Sequence, residues 1–100
     1  MIAVDLDGTL AHYDSWRGES HIGKPIPIMM ARVKNWLAKG EGVAIFTARA
    51  TNATAIHYVR KWLLENGLPD LMVTNVKRKE FREIWDDRAI QIIPNTGRIR

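Results

Sequence analysis

The chain has 100 residues, a net charge of +4 and 46% apolar residues, enough for one small core and too apolar for a disordered chain. It has no cysteine, which excludes disulfides, thiolate catalysis and cysteine-ligated zinc and favours a cytoplasmic setting. Its apolar runs are too short to span a bilayer, and Met1 leads straight into an apolar segment with no basic leader, so neither a membrane partner nor a signal peptide is expected.

The alternation of apolar runs and helical patterns predicts an α/β domain over residues 1–100 with a small parallel sheet. Ile2 to Val4 reads as the first strand. It runs into Asp5-Leu6-Asp7-Gly8-Thr9, two carboxylates that project to one face of extended chain before a glycine that allows a sharp turn. Such a string arises by chance in roughly one chain of this size per thousand or fewer. Residues 10–25 form a polar flap with Tyr13, Trp16, Arg17 and two histidines, His12 and His21. Tyr13 and Trp16 suit stacking on a base, but packing the flap onto the domain is the preferred reading. The histidines have no metal-site spacing and suit at most a phosphate contact.

Pro25 and Pro27 open a helix whose apolar positions Ile26, Met29, Met30, Val33, Trp36 and Leu37 recur at helical spacing, and Gly40 and Gly42 end it. Val43 to Phe46 is a second strand, continuously apolar as a doubly covered strand should be. A turn follows, in which Thr51 or Asn52 caps the next helix, with Ile56, Val59, Trp62 and Leu63 as its stripe and Asn66-Gly67 as its stop. His57 lies on this helix and reads as structural or solvent-facing. Leu71 to Val73 is a third strand. Ile84-Trp85 leads into Asp86-Asp87-Arg88, and Ile90 to Ile93 is expected to add a last edge segment. Trp36, Trp62 and Trp85 read as core.

In such sheets, sites form at the C-terminal ends of strands. That rule gathers Asp5, Asp7, Thr47, Asp86 and Asp87 on one rim. Adjacent carboxylates repel unless a cation relieves them. Oxygen-only ligands favour magnesium (Mg2+) over zinc. The positive excess gathers late in the chain, at Lys77, Arg78, Lys79, Arg82, Arg88, Arg98 and Arg100. It suits an anionic partner such as a phosphate ester or nucleic acid, or simply a solvated face.

These segments, in this order, resemble the haloacid dehalogenase superfamily of phosphohydrolases, and the resemblance covers nearly the whole chain. Asp5-Leu6-Asp7-Gly8-Thr9 is similar to its first motif, Val43 to Thr47 to its second, Lys77 or Lys79 to its third and Asp86-Asp87 to its fourth. The resemblance implies a three-layer Rossmann-like fold. It implies Asp5 as a nucleophile that forms an aspartyl-phosphate, and Asp7 as the acid and base. Magnesium would be held by Asp5, the backbone carbonyl of Asp7 and one or both of Asp86 and Asp87. Thr47 and nearby backbone N–H groups, at Gly8, Thr9 and Ala48, would bind phosphoryl oxygens. Lys77, preferred over Lys79, would supply a positive charge there. Both gaps that carry cap domains in that superfamily are short here, so no cap is expected, and a second copy or a large substrate would cover the site. Thr47-Ala48-Arg49 and Asp86-Asp87-Arg88 are also similar to motifs in the phosphatase domain of polynucleotide kinase-phosphatases, with Ala48 where that group has glycine. This adds Arg49 and Arg17 as substrate contacts, or Arg49 and Arg88 as braces for rim carboxylates. The expected function is a magnesium-dependent phosphomonoesterase acting on a nucleotide or a nucleic-acid 3′-phosphate. The alternatives are a nucleic-acid-binding module with little turnover and a phosphotransferase.

Overall fold

The computed structural model describes residues 1–100. The order is β1 (Ile2–Val4), α1 (Pro27–Ala38), β2 (Val43–Phe46), α2 (Ala53–Glu65), β3 (Met72–Thr74) and β4 (Glu83–Trp85). The four strands form one parallel sheet in the order β3-β2-β1-β4. The chain therefore starts in the middle, winds outward through β2 and β3, and crosses back past β1 to lay down β4. The reversal falls beside β1, where the strand order switches and a crevice opens at the strand ends.

The pleat sorts side chains between two faces. Ile2, Val4, Val43, Ile45 and Val73 face both helices and join Met29, Met30 and Val33 of α1 and Val59, Trp62 and Leu63 of α2 in the main core. Trp85 lies on that face too, 5.1 Å from the Trp36 ring. The opposite face carries Ala3 and Ala44, small enough for Phe81 of the crossover to lie close against them. The third layer is therefore the irregular 75–82 segment, and no cap domain is present. No helix is long and apolar enough to cross a membrane.

Local chemistry explains the ends of the elements. Pro27 starts α1 behind Ile26, an N-cap with no side-chain acceptor, and Pro25 lies before the helix rather than in it. Asn52, not Thr51, caps α2 by accepting from the Ala55 N–H at 2.9 Å. The third strand lies one residue later than expected, because Phe46 pairs with Thr74 and the ladder continues to the Thr47 N–H, which donates to the Thr74 carbonyl. Ile90 to Ile93 adds no edge strand. Asn95 and Gly97 take positive φ values of 66° and 73°, and the chain folds back on itself through an Ile92–Ile99 bridge. The Pro94-Asn95-Thr96-Gly97 string is a turn signal whose local closure outcompetes pairing with β4.

Candidate metal centre

Asp5 follows β1 and Asp86 and Asp87 follow β4, its parallel neighbour, so the register alone brings the three carboxylates to one rim. One oxygen from each lies within 4.8 Å of the others, close enough for a single cation to bridge. Every donor is a carboxylate oxygen, which fits a hard divalent ion such as magnesium and not a thiolate or imidazole metal. Burial is the main force that pushes the Asp5 carboxyl up from 3.8 to about 7; the negative charge of Asp86 adds to it and Asp87 adds less. A cation among these oxygens would remove that penalty.

Two residues of the first turn hold Asp87 in place. The Thr9 hydroxyl donates to Asp87 Oδ1 at 2.9 Å, and the Asp87 N–H donates to the same hydroxyl oxygen at 3.0 Å. The Thr9 hydroxyl is thus committed to Asp87, and the Gly8 and Thr9 N–H groups, expected to bind phosphoryl oxygens, donate instead to the Ala11 and Leu6 carbonyls. Gly8 has φ +88°, and a Cβ there would lie 2.6 Å from Asp87 Oδ2. Its role is to let β4's acid approach the backbone. Asp86 Oδ1 accepts from the Arg88 N–H at 2.7 Å.

Asp7 has a different environment. Arg49 donates to both of its oxygens, Nε to Oδ2 at 2.7 Å and Nη2 to Oδ1 at 2.9 Å. The Asp7 carboxylate is therefore outside the metal cluster. Arg49 is 8% exposed, so it is buried behind Asp7 rather than extended toward solvent. Its Nη1 also donates to the Glu19 carbonyl at 3.3 Å, and its guanidinium lies 4.8 Å from the Trp16 ring centroid. Asn52 reaches Glu19 Oε1 at 3.2 Å, and the Trp62 indole donates to the Gly23 carbonyl at 3.0 Å. The flap is thus tied to α2 and to the turn before it. Gly23 is obligatory at the flap base, since a Cβ would collide with the His12 carbonyl oxygen.

A cleft of about 460 Å³ opens over this rim, lined by Asp5, Asp7, Thr47, Arg49 and Asp87 below and by Tyr13 and Trp16 of the flap. Thr47 accepts from the Arg49 N–H, and its hydroxyl hydrogen remains to donate to a ligand. Ala48 lines the cleft and its N–H makes no backbone hydrogen bond, so it is a second donor. Of the two aromatic residues expected to pack the flap onto the domain, Trp16 does so through the buried Arg49 guanidinium yet is 57% exposed, and Tyr13 is 44% exposed.

Several expected residues lie elsewhere. Arg17 pairs with Asp14 at 2.9 Å and lines a groove with His12, His21 and Lys24 at the flap base, away from the carboxylates. Lys77 lines a groove beside β4 with Phe81, Ile84 and Asp86, and both Lys77 and Lys79 are exposed. Neither lines the carboxylate cleft. The cation there besides Arg49 is Arg88, whose side chain makes no ion pair or hydrogen bond. The Asp-Asp-Arg string was its only trace in the sequence.

The fold and rim together define a small Rossmann-like α/β domain with a carboxylate centre capable of holding a divalent cation. No protein-family model and no curated protein matches the chain. Among solved structures, a conserved locus-coded protein from Bacteroides thetaiotaomicron matches over 94% of this chain and 80% of its own, with a TM-score of 0.67 and 21% identity. That likeness concerns the fold.

Proposed function

We propose that the protein is a magnesium-dependent phosphomonoester hydrolase that works through an aspartyl-phosphate on Asp5. The observation that carries this reading is the three-carboxylate cluster of Asp5, Asp86 and Asp87 next to a separately held Asp7. Two acids of the same motif thus have different partners, as a nucleophile and a proton carrier require. Asp5, Asp86 and Asp87 would hold magnesium, which when bound offsets the repulsion between carboxylate and phosphate.

Asp5 attacks phosphorus and the bond to the leaving oxygen breaks, while Asp7 delivers a proton to that oxygen. Water then attacks the aspartyl-phosphate and gives its proton to Asp7, and the phosphorus–Asp5 bond breaks to release inorganic phosphate. Both Asp7 oxygens accept from Arg49, and each keeps a second lone pair on which the transferred proton can sit. Thr47, Ala48 and Arg88 line the cleft, and in this reading the Thr47 hydroxyl, the Ala48 N–H and the Arg88 guanidinium bind phosphoryl oxygens. A lysine is expected there from the family resemblance, and in this reading Arg88 supplies the charge in its place. A cytoplasmic location, suggested by the lack of cysteine, belongs to the same proposal.

The test is hydrolysis of p-nitrophenyl phosphate by wild type and Asp5→Asn, with magnesium or with EDTA. Magnesium-dependent release of phosphate by wild type alone, with a trapped phosphoenzyme, is the expected result. Turnover equal to that of Asp5→Asn discards the reading. Salt-sensitive capture of an oligonucleotide without turnover would favour the binding-module alternative.

A further inference from the structure

We propose that Trp16 is a stacking platform for a flat aromatic ring on the substrate, so that the phosphomonoester acted on is a nucleotide rather than a sugar or alkyl phosphate. The inference rests on the phosphohydrolase reading and names the substrate class of that site.

Trp16 is 57% exposed and, unlike the other exposed apolar side chains of the chain, lines the carboxylate cleft together with Tyr13. The Arg49 guanidinium lies 4.8 Å from the ring centroid, and both side chains line the cleft. Arg49 is itself fixed by two bonds to Asp7 and one to the Glu19 carbonyl, so Trp16 rests on an immobile base. The cation–π contact with this fixed guanidinium holds the ring at the cleft, where its remaining surface is free to stack. Tyr13, 44% exposed, lines the same cleft and widens the aromatic wall.

The floor of the cleft carries Asp5 and Asp87, so one ligand can place phosphate at the carboxylate centre and a ring against the flap. The volume of about 460 Å³ falls in the range of roughly 300–1,000 Å³ typical of small-molecule sites. An alkyl or sugar phosphate would leave the aromatic wall uncovered. A nucleobase covers it, and the stacking tolerates any base because each has a π-face.

Two measurements test this. The first compares kcat/KM for AMP and for ribose 5-phosphate in wild type, Trp16→Ala and Trp16→Phe. Removing the indole also uncovers Arg49, an effect common to both substrates, so the informative quantity is the ratio between them. Trp16→Ala should lower the AMP to ribose 5-phosphate ratio by roughly 5- to 100-fold, the range for loss of one base–aromatic stack, mostly through KM. Trp16→Phe should recover most of it. The second follows the indole N–H resonances by NMR as adenosine, which has no phosphate to hydrolyse, is added. One resonance, absent from Trp16→Phe, should shift.

An unchanged ratio in Trp16→Ala, or an adenosine titration that leaves the Trp16 resonance in place, overturns the platform even if ribose 5-phosphate is hydrolysed. If no phosphomonoester is hydrolysed but adenosine shifts Trp16, the hydrolase reading fails while the aromatic-ring site stands.

Discussion

Arg49 holds both oxygens of Asp7, at 2.7 and 2.9 Å, across 42 positions of sequence. The pair joins the turn after β1 to the turn after β2, the two neighbouring strands at the centre of the sheet. It also carries the flap, through the Glu19 carbonyl and the Trp16 ring. One guanidinium thus orients the proposed proton carrier and positions the cover of the cleft.

Arg49→Ala should therefore cost more than a surface ion pair. It leaves a half-buried carboxylate without its partner, and such losses run to about 3 kcal/mol. Arg49→Lys retains charge but not the two-pronged contact, and misplacement of Asp7 should lower kcat by roughly 10- to 100-fold. Thermal unfolding and steady-state kinetics of the two variants check this. Magnesium affinity should change little in Arg49→Lys, because the Asp7 carboxylate is outside the metal cluster; a parallel loss of affinity would refute that separation.

Gly8→Ala should be severe for two reasons. Its φ of +88° is strained for any residue with a Cβ, and that Cβ would press on the Asp87 carboxylate at 2.6 Å. Backbone strain of this kind costs about 1–2 kcal/mol. Displacing Asp87 should also weaken magnesium binding, which calorimetry reads directly. Wild-type affinity in the variant would show that Asp87 is not a ligand.

Thr9→Val removes the hydroxyl that both donates to and accepts from Asp87. A loss of about 1–2 kcal/mol is expected for these contacts, with weaker magnesium binding but an intact nucleophile. Thr9→Ser, which retains the hydroxyl, should restore the affinity.

The raised Asp5 carboxyl predicts a pH dependence with a definite sign. Its value is about 7 in the folded chain against an ordinary 3.8. Within that window the folded, cation-free protein retains a proton that the unfolded chain has released. Stability from this group is thus full below the ordinary value and is lost as pH rises through the folded one. In EDTA, Tm should fall between about pH 4 and pH 7. Magnesium should raise Tm more at the upper end, where it meets a carboxylate and need not displace a proton. Asp5→Asn should flatten the pH dependence and abolish the magnesium effect. A wild-type Tm in EDTA that rises across this window would contradict the assignment.

Arg88→Ala and Lys77→Ala separate two sources of positive charge. Arg88 lines the carboxylate cleft and Lys77 lines the groove beside β4. Arg88→Ala should raise KM for a phosphomonoester by roughly tenfold or more, while Lys77→Ala should have a smaller effect. The reverse order would mean that the β3–β4 crossover brings Lys77 over the rim during turnover.

Strands and helices were legible where local pattern dominates. Ile2 to Val4 and Val43 to Phe46 are continuous apolar runs, and both are strands at those bounds. The carboxylate rim was legible too, since parallel strands must bring their C-terminal ends together. The C-terminal residues were not: Ile90 to Ile93 has strand composition, but its partner is the chain just beyond the Asn95-Thr96-Gly97 turn, not β4. The setting of Trp16 was not legible either, because its partner is Arg49 of the turn after β2, far along the chain.

The sequence by itself determined the parallel α/β architecture and the acids that meet at its rim, because strand periodicity and strand ends are properties of short segments. Only the tertiary structure decided what each acid touches. That Asp5 joins Asp86 and Asp87 while Asp7 is held by Arg49 depends on strand order and on a left-handed glycine that admits Asp87. The separation of Lys77 from the cleft and the presence of Arg88 within it depend on the path of the β3–β4 crossover. These pairings join residues far apart in the chain through distances of about 3 Å, and no local pattern encodes such contacts.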